Sequence, residues 1–287
     1  MPSPKTIQLF LMDGVVDGRV KSTLANWTGL VYKIPRTFIR GAQDIPALEQ
    51  TGVYFLFGID ESDGQGSVYV GQAGTRQNGR GVLGRIEEHC HDANKDYFNQ
   101  AVVMTTSNNS FGPTEISYLE HRFTQIAKDA RRYHVKNGNL PSRGNITEEK
   151  QAELEEFISY AELVMGSLGF FVFEPLVRPR DTPQEETQKQ KAPVLELKER
   201  GAVATGQQTS EGFVVFRNSQ IRSETTRTCP PRVFQQRERH RAHICEGKLT
   251  EDILFSSPSG AAEFVVGASI SGNRAWKTVD GTPLKDL

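Results

Sequence analysis

Residues 52–59, GVYFLFGI, are a continuous apolar and aromatic-rich run, and SVYVG (67–71) follows across the turn-forming stretch ESDGQG. Two such runs around a Gly/Asp loop predict an antiparallel hairpin, and that hairpin constrains what can come next. Gly79, Gly81 and Gly84 in GRGVLG spell G-x-G-x-x-G ahead of a helical stretch, which in a dinucleotide fold would cradle a pyrophosphate. Such a fold needs the glycines directly at the end of a parallel strand. Here eight residues, Gly71 to Asn78, intervene, and the preceding strand belongs to a hairpin. The glycines read as a loop leading into a helix, and a nucleotide-dependent oxidoreductase is the weakest reading.

Beyond the hairpin, Val82, Leu83, Ile86 and Cys90 predict a helix, FNQAVVMTT (98–106) a strand, and Ile116, Leu119, Phe123 and Ile126 a helix over 113–132. Thr147-Glu148-Glu149-Lys150 opens another helix, with Leu154, Phe157, Ile158, Ala161 and Leu163 on its apolar face, and GFFVFEPL (169–176) reads as a closing strand. Ahead of the hairpin, residues 5–12 alternate weakly as a strand, and the stretch through Asn26 to Pro35 reads as irregular. Residues 1–47 are therefore expected to be an N-terminal extension packed on a domain at 48–176. RPRDTPQEETQKQK (178–191) has no apolar residue but proline, so 177–200 reads as a linker. A second unit, 201–287, is expected to hold strands at 201–206 and 211–217 and helices near 231–246 and 257–267.

The chain carries 34 Lys plus Arg against 35 Asp plus Glu, which excludes a uniformly basic nucleic-acid binder. The sum hides a local excess. Between Phe213 and His243 seven arginines face two glutamates, a charge of +5. Arginine forks suit phosphate and base edges, so Arg217, Arg222, Arg237, Arg239 and Arg241 are candidate nucleic-acid contacts. Three scattered cysteines fit no disulfide framework and point to a reducing compartment. Cys229, His240, His243 and Cys245 lack a paired C-x-x-C, so zinc is a minor reading. The first apolar run is cut after Met12 by Asp13 and Gly14, too short for a signal peptide or a membrane span. A soluble cytoplasmic protein with no membrane partner is expected.

Alternation turns Tyr54 away from Val53 and Phe55, and Tyr69 away from Val68 and Val70. Arg85 and His89 share a helix face at i, i+4. Glu120 follows core Leu119 at the edge of a buried stripe. Each reads alone as ordinary packing or surface. In order, though, Gly52-Val53-Tyr54, Tyr69-Val70-Gly71, Arg85, His89, Glu120 and Asn137-Gly138-Asn139 resemble the GIY-YIG nuclease superfamily over about residues 50–140, with valines where the family's name has isoleucines.

The resemblance implies an α+β fold on a small three-stranded antiparallel sheet flanked by helices, with a second small α+β domain behind it. It implies a metal-dependent endonuclease hydrolysing DNA phosphodiester bonds. Glu120 would hold Mg²⁺ or Mn²⁺, and Arg85 would bind the scissile phosphate. Tyr54 and Tyr69 would position the attacking water, with one of them as general base if Arg85 or the metal lowers its pKa. His89 would assist proton transfer, and Asn137 or Asn139 would be the family's closing asparagine. The long loop before Arg85 adds Arg76 and Arg80 as expected DNA contacts. The C-terminal tail, with Ser-Pro-Ser-Gly-Ala-Ala and Gly-Asn-x-x-x-Trp around Trp276, resembles a domain of unknown function often joined to such nucleases. That pairing implies DNA recognition, double-stranded DNA before RNA, in a restriction-like defence against modified or foreign DNA, and it is compatible with a homodimer. The alternative is a catalytically inactive DNA-binding or interaction protein on the same fold.

Overall fold

The computed structural model describes residues 3–60, 64–75, 80–177, 192–227 and 229–287. Contacts divide the chain into two compact units that part after Pro175.

The N-terminal unit contains strands β1 (Ile7–Leu11), β2 (Val20–Leu24), β3 (Gly29–Pro35), β4 (Gly52–Ile59) and β5 (Gly66–Ala73), then helix α1 (Val82–Cys90) and β6 (Phe98–Thr106). Helix α2 (Pro113–Ala130), β7 (His134–Val135) and α3 (Glu148–Ser167) complete it. The strands form one sheet in the order β1-β2-β3-β6-β4-β5-β7, antiparallel except where β7 runs parallel to β5. The expected three strands are its centre, β6-β4-β5, so the expected small sheet is corrected to seven strands. Residues 1–47 accordingly supply three of the strands. The sequence hides β2 and β3 because Lys21, Thr23 and Lys33 interleave with buried Val20, Ser22, Leu24, Val31 and Ile34.

Strand β4 is apolar throughout because helices cover both of its faces. Val53, Phe55 and Phe57 join the core beneath α2 and α3. Tyr54 and Leu56 point into a second core, made with α1 and the 3₁₀ turns Arg36–Asp44 and Pro46–Glu49. Residues 169–176 form turns rather than the expected closing strand. Gly169 sits at φ +88° and ends the extended possibility early. The aromatic residues still pack, Phe170 stacking on Phe57 at 4.2 Å between ring centroids, and Val172 and Phe173 are buried.

The C-terminal unit contains β8 (Val194–Glu199), β9 (Ala202–Thr209), β10 (Gly212–Val215) and α4 (Pro231–Arg239), followed by β11 (Ile244–Cys245), β12 (Lys248–Leu249) and β13 (Ile253–Phe255). Helices α5 (Pro258–Val266) and α6 (Gly272–Ala275) close it. A four-stranded antiparallel sheet in the order β13-β10-β9-β8 packs against α5, while β11 and β12 pair separately. Strand β8 lies in what reads as linker, since Glu196, Lys198 and Glu199 mask the buried Leu195 and Leu197. The helix expected over 231–246 ends at Arg239.

Candidate active site

The site lies on the β4 face that carries Tyr54. In the β4–β5 ladder Tyr54 stands opposite Gly71, and Leu56 opposite Tyr69. The tyrosine ring lies over Gly71, where a Cβ would collide with its Cζ and Oη atoms. The glycine of Tyr69-Val70-Gly71 is therefore a steric requirement for Tyr54. Helix α1 crosses the same face. Its first residue, Val82, donates its backbone N–H to Gln50 O at 3.1 Å, and Gly81 comes too close to the Glu49 and Gln50 carbonyls to tolerate a side chain. This anchoring fixes the rotation of α1, so that His89 faces Tyr54 and Tyr69, each with ring centroids 5.6 Å away.

Tyr54 Oη and His89 Nε2 are hydrogen bonded at 2.7 Å. Burial, with the positive charges of Arg85 and Lys95, lowers the His89 pKa to about 4, so the imidazole is neutral at pH 7. The Arg85 guanidinium is close enough for its charge to act on the Tyr54 phenol. Arg85 is half-buried and pairs with Glu88 at 2.7 Å. Glu120 reaches the site from α2, on the other side of the sheet, near Gln72 of β5, whose amide hydrogen bonds with Ser117 of the same helix at 3.3 Å. It is 9% exposed, and burial raises its pKa to about 7. Tyr69 is near enough to feel Glu120, Arg85 and Tyr54.

The fold thus gathers Tyr54, Tyr69, Arg85, His89 and Glu120 from β4, β5, α1 and α2. Arg85 does not by itself lower either tyrosine pKa: desolvation outweighs it and pushes both up. Asn137 is occupied elsewhere: its Oδ1 accepts from Val70 N at 3.0 Å and its Nδ2 donates to Val70 O at 2.8 Å, an imitation of a neighbouring strand beside β5. Asn139 is exposed. Arg80 pairs with Glu87 at 2.9 Å, and Arg76 lies outside the described residues. A cavity of about 360 Å³ beside α1 is lined by Arg40, Arg80, Glu87, Glu88 and His91, and none of the five clustered residues borders it.

Lys95 is missed by sequence reasoning. Its ammonium lies 3.2 Å from the Tyr69 ring centroid, half-buried, with its pKa lowered by burial first and by Arg85. A lysine in the sequence NKD carries no signal that it stacks on a distant tyrosine.

In the C-terminal unit the candidate arginines divide. Arg217, Arg239 and Arg241 are exposed and Arg222 is half-buried. Arg237 is spent on backbone carbonyls, donating to Phe264 O at 2.7 and 3.1 Å and to Val265 O at 3.4 Å. Its guanidinium neutralises the C-terminal end of α5, so its assignment as a nucleic-acid contact is corrected to a structural role. Trp276 is fully buried against Phe213 at 4.5 Å and donates its indole N–H to Pro258 O at 3.0 Å. No three His, Cys, Asp or Glu side chains converge as a metal site among the described residues, and no helix among them is long and apolar enough to cross a membrane.

The C-terminal unit is therefore a small α+β domain built on an antiparallel sheet with α5 packed against it. Residues 195–287 match the family model of a domain of unknown function, DUF4357. No curated protein matches the chain, and no solved structure does.

Proposed function

We propose that the N-terminal unit is a GIY-YIG-type endonuclease that hydrolyses DNA phosphodiester bonds, and that the C-terminal unit contributes DNA recognition through Arg217, Arg222, Arg239 and Arg241. The carrying observation is that two tyrosines, a neutral histidine and an arginine meet on one face of a sheet while a buried carboxylate reaches the same strands from the other face.

The Glu120 carboxyl fits a cation ligand, because desolvation raises its pKa and no basic side chain offsets that. Glu120 would hold Mg²⁺ or Mn²⁺ with water completing the shell, and the bound ion supplies charge neutralisation at the phosphate and the leaving oxygen. The Arg85 guanidinium, always charged, binds a phosphate oxygen in exchange for Glu88. Tyr54 and His89 form a relay. As water attacks phosphorus its proton passes to Tyr54 Oη, while the phenol proton passes to His89 Nε2. No phenolate has to form in advance, which suits a tyrosine whose pKa burial has raised. Tyr69 orients the water, and Lys95 adds positive charge beside it. The three cysteines are free, which supports a reducing cytoplasm as the place of action.

A second reading, binding without cleavage, draws on the Arg85–Glu88 ion pair, which already engages one nitrogen of the phosphate-binding fork. Incubating plasmid and phage DNA, modified and unmodified, with and without Mg²⁺ or Mn²⁺ separates the two. The nuclease reading expects cation-dependent cutting that Glu120→Ala abolishes. Binding of DNA with no cutting of any substrate would establish the second reading in its place.

A further inference from the structure

Strand β1 is the outermost strand of the seven-stranded sheet and pairs on one side only, with β2. Natural edge strands are blunted by charges, prolines or bulges. The sequence of β1, IQLFL, has none of these, and its register with β2 is regular. Leu9 is 52% exposed and Phe10 63%. Leu11 is exposed as well, and the turn after β1 adds exposed Val15 and Val16. At the other edge β7 is only two residues long, and Asn137 covers Val70 of β5 beside it.

Hydrogen bonding shows which backbone groups are open. Ala25 N donates to Thr6 O and Met12 N to Arg19 O, so the even-numbered residues of β1 turn their polar groups toward β2. By antiparallel alternation Ile7, Leu9 and Leu11 direct their N–H and C=O groups outward. A second β1 can satisfy all of these groups only in an antiparallel register that sets odd residues opposite odd. Centred on Leu9, that register pairs Leu9 with its own symmetry mate and Ile7 with Leu11, giving apolar pairs along one side. On the other side it sets Gln8 opposite Phe10. It also brings the exposed Lys5 of one copy near the 13–18 turn of the other, which carries exposed Asp17 besides the Asp13–Arg19 pair and so has a net negative charge.

We propose that β1 is a homodimer interface at which two copies of this chain pair antiparallel about Leu9 and join their sheets into one. The two-fold axis makes the contact isologous and closed. The five exposed apolar residues present on the order of 450 Å² per copy, about half of a standard interface of ~800 Å² per partner, with the backbone pairing in addition. This inference is independent of the catalytic reading.

Sedimentation equilibrium of the full chain across the micromolar range tests it. Leu9 faces itself in this register, so Leu9→Lys sets like charges opposite each other, and so does Leu9→Asp. Each variant alone is expected to weaken the dimer by at least about tenfold, and an equimolar mixture of the two to form a heterodimer. Hydrogen exchange on the unmodified protein gives a second readout, with the Ile7, Leu9 and Leu11 amides protected only at concentrations where the dimer forms. A monomer throughout, a dimer indifferent to both substitutions, or protection of those amides that ignores concentration would each overturn the proposal.

Discussion

Replacing Glu120 with glutamine keeps the shape of the side chain and removes its charge. In cation-free protein the carboxyl titrates near 7 in place of 4.5, because burial disfavours the ionised form. A group whose pKa is raised by folding contributes stability that is complete below its unfolded value, 4.5, and lost as pH climbs through about 7. At about 1.4 kcal/mol per pH unit the shift corresponds to ~3 kcal/mol, and solvent access to the carboxylate reduces it to about 2 kcal/mol. His89 opposes this: its depressed pKa, about 4, costs stability as pH falls below 6.5. The wild-type profile mixes the two effects, and subtracting it from that of the variant leaves Glu120. Urea unfolding in EDTA at about pH 5 and about pH 8.5 is expected to show Glu120→Gln and wild type close together at the lower pH, with the variant ahead by about 2 kcal/mol at the higher. Added Mg²⁺ should then raise the wild type at the higher pH and leave the variant unmoved. A difference between the two proteins that does not change with pH would refute the burial argument.

Gly71→Ala places a methyl group where the Tyr54 ring lies, so DNA cleavage should fall by about 100-fold while unfolding shows a loss of ~1–3 kcal/mol. Asn137→Ala removes both bonds to Val70 and should lower stability by about 1–2 kcal/mol in a thermal melt, with any loss of cleavage following the loss of fold. Arg237→Ala should cost ~1.5–3 kcal/mol by stripping the α5 carbonyls of their donor. Arg239→Ala and Arg241→Ala should leave the melt unchanged and each lower the salt dependence of DNA binding by about one unit of slope.

The hairpin, the strand at 98–106 and the three helices of the N-terminal unit are legible in the sequence because each has an uninterrupted apolar period. Strands β2 and β8 are not, since lysines, glutamates and threonines alternate with few apolar residues, and only pairing inside a larger sheet gives those residues a buried side; β3 is broken by Lys33 and closed by Pro35, and so does not stand out from the irregular stretch around it. The segment 169–176 misleads in the opposite direction. Its aromatic content reads as strand, yet it is spent on ring stacking against Phe57 and Phe123. For the site, Tyr54, Tyr69, Arg85, His89 and Glu120 can be picked out by type and order. Their titration behaviour cannot, because it depends on how much water the fold excludes. Asn137 shows the same limit, its side chain being matched to a backbone that is 67 residues away in sequence.

Glu120 approaches from one side of the sheet and the arginine–histidine pair from the other, so the cluster spans two separate cores. Neither core alone holds a complete set of reacting groups. A chain still emerging from the ribosome, or a fragment that has lost α2, would carry the tyrosines, Arg85 and His89 with no carboxylate to accompany them. On the proposed nuclease reading, activity would be tied to completion of the whole unit, and a half-folded copy would be harmless to the DNA around it.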